Sequence, residues 1–326
     1  MKLDTVVITG ASGTLGSFLT SEFLASGVNV IGVSRRPPKS IAAATTARKT
    51  TTGQLGSFTH AQGDLTRDQV GLSFADLPVI HCAASVRDGW GRKVLVDNLA
   101  MTRAMLKLSS GPIVHLSSSS VYDLTKPSRE VHEDEATGDY RFLNSYSEAK
   151  WHTEELVRQS GRNAVILRPH GVYGPGDSTL LPRVQQAIRL GRFLPLPAGG
   201  KAMHALTSLA NIRSAVGGAL VALLDGSVKG ALAVNVTDLT AISLRDAITA
   251  VIDAPVLVVP VPVSLTLKLV AIADKRQNEG SDPLLTEYAF SQLAYDRTYS
   301  LTRLRERLNV IPAESTIIGL CPPIRT

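Results

Sequence analysis

The chain has 326 residues, 44% of them hydrophobic and 19% charged, with a formal net charge of +6, which suits a large α/β domain with a smaller companion and a sizeable core. Its basic residues are scattered and lack a run of five or more, so nucleic acid is set aside and an anionic small molecule fits the charge equally well. Cys82 and Cys321 stand far apart without metal-ligand spacing; neither a disulfide framework nor a metal site is indicated, and a reducing cytoplasm is the simpler setting.

Met1-Lys-Leu-Asp-Thr-Val-Val-Ile-Thr9 enters an apolar strand directly and carries an early acid, unlike a signal peptide. The strand at 5–9 runs into Gly10-Ala-Ser-Gly-Thr-Leu-Gly16, and residues 17–24 have helical periodicity. Strand, glycine turn and helix together predict a dinucleotide-binding βα unit. Gly10 permits the tight turn, Gly13 lets the backbone approach a pyrophosphate, and Gly16 allows close helix packing; Ser12, Thr14 and Leu15 share that cofactor-binding turn. The spacing is GxxGxxG, not GxGxxG.

The second strand, 29–34, lacks the acid expected for a ribose and ends in Arg35-Arg36. Two arginines there either solvate a strand end or pair with a 2′-phosphate, which favours NADP(H) over NAD(H). Residues 37–59 read as a surface connection. Asp64, followed by Leu65, either accepts a hydrogen bond from adenine or caps the next helix. The strand at 79–84 ends in small Ala83 and Ala84, which would admit the nicotinamide half of a cofactor, and its His81 reads as a satisfied strand histidine. A helix over 93–108 carries Asn98, whose amide is suited to holding backbone or water near the site. The strand at 112–116 empties into Ser117-Ser-Ser-Ser-Val-Tyr122, at the strand edge where open α/β sheets bind ligands. Tyr146-Ser-Glu-Ala-Lys150 then places a phenol and an ammonium on one helix face.

In this order the motifs Thr9-Gly-Ala-Ser-Gly-Thr-Leu-Gly16, Gly63-Asp64, His81-Cys-Ala-Ala84, Asn98, Ser117-Ser-Ser-Ser-Val-Tyr122, Tyr146-Ser-Glu-Ala-Lys150 and Arg168-Pro-His-Gly-Val-Tyr-Gly-Pro-Gly176 resemble the extended short-chain dehydrogenase/reductase family over about the first 180 residues. The resemblance implies a Rossmann-type doubly wound parallel sheet, a nicotinamide cofactor and a catalytic Ser, Tyr and Lys. By motif these are Ser118, with Ser119 as runner-up, Tyr146 and Lys150, with Asn98 as a fourth member. The same resemblance puts Pro169, His170 and Val172 against the cofactor and Ser85, Trp90, Ser119, His170 and Tyr173 near substrate. His170 departs from the family pattern.

A Rossmann domain is expected over 1–176 with a return near 203–237, and a smaller mixed α/β substrate domain over 177–326. In the second half 182–190 reads as a helix, 191–200 as a loop, and 254–273 as a strand followed by a buried or partner-facing helix. The tail reads as a helix, a short strand and a final helix before Pro312. Ser119 and Ser120 stand where sugar-nucleotide dehydratases carry an acid pair, which disfavours dehydration. The expectation is an NADPH-dependent ketone reductase resembling the 3β-hydroxysteroid dehydrogenase and dihydroflavonol reductase branch, acting on a small carbonyl or alcohol substrate as a cytoplasmic homodimer. The alternatives are an NDP-sugar 4-epimerase or 4-ketoreductase, and a non-catalytic NADP sensor.

Overall fold

Val6, Val7 and Ile8 are wholly buried, so the strand that carries them needs a neighbour at each edge and a cover on each face. The computed structural model describes residues 3–38, 55–67, 71–86, 91–175, 193–250, 257–274 and 285–316. It supplies both requirements. In chain order the first half runs β1 (Thr5–Thr9), α1 (Thr14–Ala25), β2 (Asn29–Ser34), β3 (Phe58–Gln62), β4 (Val79–His81), α2 (Arg92–Leu108), β5 (Ile113–Leu116), β6 (Ser128–Val131), α3 (Ser145–Gln159), β7 (Ala164–Pro169) and β8 (Val172–Tyr173). The second half runs β9 (Phe193–Pro197), β10 (Met203–His204), β11 (Thr207–Ser208), α4 (Leu209–Leu224), β12 (Ala231–Val236), β13 (Ile242–Ser243), α5 (Leu244–Thr249), β14 (Leu257–Val261), α6 (Val263–Asp274), α7 (Glu287–Ala294), β15 (Arg297–Tyr299) and α8 (Thr302–Leu308).

Seven strands pair in the order β12-β7-β5-β4-β1-β2-β3, all in parallel. Alternation along β1 sends Val6 and Ile8 to one face, where Leu19 and Leu24 of α1, Ile212 and Val216 of α4 and Leu304 and Leu308 of α8 complete the core. Val7 faces the other side, with Met105 and Leu108 of α2 and Val157 of α3. Each such buried aliphatic side chain contributes about 1.5–3 kcal/mol. The return through β12 lies where the sequence places it, and α8, near the end of the chain, packs on the Rossmann core.

The rest forms a four-stranded sheet, β13-β10-β15-β6, and two small pairs, β11-β8 and β14-β9. One expectation is corrected here and another is narrowed. Within the stretch read as a loop, Phe193–Pro197 is a strand, because β14 pairs with it in parallel from Leu257 to Val261. Of the two readings of the helix after β14, the buried one is set aside, since Leu265, Leu269 and Ile272 are exposed and its buried residues are Val270 and Asp274, which leaves the partner-facing alternative. The helix expected at 182–190 lies outside the described residues. Among the described residues no helix is long and apolar enough to cross a membrane, and no group of His, Cys, Asp or Glu could hold a metal ion.

Candidate active site

From β1 the chain moves outward through β2 and β3, then returns to build β4, β5, β7 and β12 on the other side. The crevice at that reversal is where open α/β sheets bind ligands. Gly10 sits there with φ +69°, and a Cβ on it would come within 2.7 Å of the Ala83 backbone. A Cβ on Gly16 would overlap the Gly10 carbonyl oxygen. Gly13 caps α1 without a capping side chain, and the first turn carries no acid. The helix start at Thr14 and Leu15, with Ser12 exposed beside it, therefore presents N–H donors and positive potential suited to a pyrophosphate.

Arg35 and Arg36 are exposed just beyond β2, where the Ser34 hydroxyl donates to the Arg36 carbonyl at 2.7 Å. Asp64 caps its own turn: Oδ1 accepts from Thr66 N at 3.0 Å and from Thr66 Oγ1 at 2.7 Å. The Thr66 hydroxyl, followed by weaker attraction from Arg35 and Arg67, holds this carboxyl below the usual range. Leu65 is buried behind it, and Ala83 and Ala84 are half-buried at the end of β4.

The reacting groups come from β5 and α3. Asn144 caps α3, accepting from Ser147 N at 2.9 Å and Ser147 Oγ at 2.8 Å, and this sets where the first turn projects Tyr146. Ser118 begins the short 3₁₀ turn after β5, and its Oγ accepts from Ser120 N at 3.1 Å. Its hydroxyl also bonds Tyr146, which offsets part of the upward pressure that burial puts on the phenol pKa. Lys150 is 4% exposed; its Nζ donates to the Leu116 carbonyl at 2.7 Å and lies 5.8 Å from the Tyr146 ring centroid. Burial pulls this ammonium down to about 8, opposed by the charge of Glu154 and by Cys82. The structure thus brings Ser118, Tyr146 and Lys150 together at one strand end.

Asn98 is buried and spent on backbone. Its Nδ2 donates to the Ser85 carbonyl at 3.0 Å and to Val94 O at 2.7 Å, while its Oδ1 accepts from Ser85 N at 3.1 Å. It therefore fixes the chain after Ala84. His81 is a core group, bonded to Thr9 Oγ1 at 2.7 Å and Thr102 Oγ1 at 3.3 Å and stacked on His115 at 5.3 Å. Ser119 and His170, separate candidates in the sequence, are joined: Ser119 Oγ lies 2.9 Å from His170 Nδ1. Pro169 ends β7, buried, and Val172 pairs with Thr207 across β8 and β11. Tyr173 is buried, and its hydroxyl donates to Asp238 at 2.5 Å and accepts from Thr316 N at 2.9 Å, which commits it to the fold. Trp90 lies outside the described residues.

One group was missed in the sequence. Glu154, one turn beyond Lys150, is wholly buried. It accepts from Arg168 Nε at 3.0 Å and Nη2 at 2.7 Å, from Arg158 at 2.7 Å and from Ser117 Oγ at 2.5 Å. Arg168 continues to Tyr122 OH at 3.0 Å and the Glu133 carbonyl at 2.7 Å. The available signal was an arginine inside Ala164–Pro169, a strand buried at every position; such a charge requires a buried partner.

Known proteins resemble this chain in family and in fold. The family model described as NAD dependent epimerase/dehydratase family matches residues 6–211. The 2-alkyl-3-oxoalkanoate reductase of Shewanella oneidensis is 29% identical over 59% of this chain and 50% of its own length. The decarboxylating sterol-4-alpha-carboxylate 3-dehydrogenase of Candida albicans is 25% identical over 98% of this chain and 96% of its own. Among solved structures, the UDP-glucuronic acid 4-epimerase of Bacillus cereus shares the fold with a TM-score of 0.64 at 20% identity, covering 97% of this chain and 96% of that one. With the family matched across the whole nucleotide-binding half and the Ser, Tyr and Lys side chains gathered at its sheet edge, the chain belongs to the NAD dependent epimerase/dehydratase family as an NAD(P)-dependent oxidoreductase of the extended short-chain dehydrogenase/reductase type.

Proposed function

We propose that this protein is an NADPH-dependent reductase, reversible as a dehydrogenase, of the ketone in a 3-oxo acid. The observation that carries the reaction type is the convergence of Ser118, Tyr146 and Lys150. The substrate class draws on two relatives whose names describe an acid with its reacting oxygen β to the carboxylate, a 3-oxoalkanoate and a sterol 4-carboxylate oxidised at position 3. NADPH over NADH rests on Arg35 and Arg36, the cytoplasmic setting on the two distant cysteines, and the homodimer on the family resemblance.

A bound nicotinamide dinucleotide supplies the hydride and accepts it in reverse. Gly10, Gly13 and the start of α1 would hold its pyrophosphate, with Arg35 and Arg36 at the 2′-phosphate and Pro169, His170 and Val172 near its nicotinamide end. Ser118 Oγ takes the Ser120 N–H on a lone pair, and its single O–H, which bonds Tyr146 when no substrate is present, would turn to the substrate carbonyl oxygen and stabilise developing charge. Tyr146 gives its phenolic proton to that oxygen as it becomes an alcohol. Lys150, one donor already on Leu116 O, keeps the others for the cofactor ribose, and its charge lowers the cost of the phenolate that Tyr146 becomes. Asn98 positions Ser85 and the adjoining substrate wall. The alternative, an NDP-sugar 4-epimerase or 4-ketoreductase, draws on likeness of fold to a 4-epimerase and on 30% identity over 53% of this chain to a dTDP-4-dehydro-6-deoxy-D-allose reductase of a Streptomyces species.

The test is NADPH oxidation with 3-oxodecanoate by the purified protein and by Tyr146→Phe. The variant should lose about 10²–10⁴-fold in turnover while NADPH still binds, as followed by nicotinamide fluorescence. Equal rates in the two proteins would remove Tyr146 from the reaction.

A further inference from the structure

Beyond Ser119 lies a set of buried polar groups that the catalytic triad does not use. The His170 ring, bonded to Ser119 at 2.9 Å, stacks on His204 with centroids 5.9 Å apart and an interplanar angle of 13°, and meets Tyr299 at 5.4 Å. His204 and Tyr299 are 5% and 3% exposed, yet His204 Nε2 has no hydrogen-bond partner, and the Tyr299 hydroxyl, which faces the Ser119 and Ser128 hydroxyls, has none at full hydrogen-bond geometry. His204 faces Arg297 in register across β10 and β15. Arg297 is wholly buried. Its Nη atoms donate to the carbonyls of Leu124, Lys126 and Ser291 and to the hydroxyls of Ser128 and Ser291, while its Nε has no partner. Among the described residues no carboxylate pairs with this guanidinium.

A native interior leaves few polar groups unpaired, and a buried cation without a counter-charge is costlier still. Here two neutral donors and an uncompensated cation occur together, in contact through His170 with the residue that follows Ser118. Burial and the Arg297 charge hold His204 down at about 4, so at neutral pH its ring is uncharged and one tautomer offers Nε2–H as a donor. One planar anion would satisfy both donors and sit in the positive potential of Arg297.

We propose that His204 and Tyr299, backed by Arg297, form an acid-recognition subsite for the substrate carboxylate, separated from the carbonyl site at Ser118 by the Ser119–His170 pair. The proposal rests on the 3-oxo acid reading above. It assigns Tyr299 Oη and His204 Nε2 as donors to the carboxylate oxygens and makes the distance from Ser118 the ruler that selects a β-placed acid.

The decisive variant is Tyr299→Phe, which keeps the rings packed on His170 and Tyr122 and deletes one donor; His204→Phe, which keeps the stack, is the second. Calorimetric binding of 3-hydroxydecanoate and of 2-nonanol to the protein with NADP⁺ is compared with turnover of 3-oxodecanoate and 2-nonanone. Each variant should bind the acid about ten- to a hundredfold more weakly and leave the neutral alcohol within about twofold. Equal losses for both ligands, no loss for either, or a wild type that does not prefer the acid overturns the subsite and leaves a packing or buried-water role. Turnover of both ketones with no selective loss in the variants would sink the subsite while the reductase stands. Selective loss of acid binding in a protein that reduces neither ketone would sink the reductase while the subsite stands.

Discussion

Tyr146 and Lys150 are four positions apart on α3, but their chemistry is set by what surrounds each. Burial raises the phenol and lowers the ammonium to about 8, so in the reductive direction the neutral phenol persists as pH rises while the lysine charge does not. The lysine is charged below about 8 and loses its proton above it. Turnover of 3-oxodecanoate should therefore hold steady up to that pH and fall towards tenfold per unit beyond it, as a pH–rate profile at saturating NADPH would show; a profile flat to pH 10 would take the Lys150 charge out of the mechanism. Arg35 is the matching test on the cofactor side. Arg35→Asp should weaken NADPH by about ten- to a hundredfold and NADH little, measured as separate fluorescence titrations. Equal weakening would mean that Arg35 does not read the 2′-phosphate. The identities of these residues were legible in the sequence because Tyr146-Ser-Glu-Ala-Lys150 and Arg35-Arg36 are local patterns. Their proton affinities were not, because those depend on Leu116, Ser118 and Glu154, which the fold brings in from elsewhere.

The strand–turn–helix units carried most of the readable signal, since each glycine turn and cap is a short-range requirement. What joins two elements is harder to see. α3 and β7 are tied by Glu154 and Arg168, a pair with both side chains essentially without exposure, and Ser117 links the same carboxylate to the end of β5. Removing one member of a buried ion pair leaves the other uncompensated, at a cost of about 3–5 kcal/mol. Glu154→Ala should lower the urea midpoint by a corresponding amount, and because Ser117 and Lys150 lose their common neighbour, turnover should fall even where the variant is still folded. A midpoint unchanged from wild type would show that Arg168 finds adequate partners in Tyr122 and Glu133 alone. The same reasoning explains why the β9 sequence reads as a loop: it holds Pro195 and Pro197 and is followed by Gly199 and Gly200, and only the parallel pairing with β14 makes it a strand.

Across the fold, four histidines are held neutral by burial: His81, His115 and His170 well below their ordinary range and His204 at about 4. In the unfolded chain each takes up a proton near 6.5, so folded-state stability is complete above that pH and is lost as pH falls towards 4. His204 alone accounts for roughly 3 kcal/mol of that loss, its shift converted at about 1.4 kcal/mol per unit. The urea midpoint should be lower at pH 5 than at pH 7.5, with an unchanged slope, and stability that is constant over this range would contradict the buried neutral state. The sequence by itself determined the first strand–turn–helix unit, its glycine turn, the basic strand end and the Tyr146–Lys150 pair, because these are written in local periodicity and spacing, and through the family resemblance of its motifs it implied the parallel sheet and Ser118. Tertiary structure alone decided that Asn98 clamps Ser85, that Glu154 and Arg168 brace the site, and that His170 joins Ser119 to His204 and Tyr299. Those contacts link residues from about a dozen to more than a hundred positions apart, and the pairing of β10 with β15 is what brings His204 and Tyr299 together beside His170.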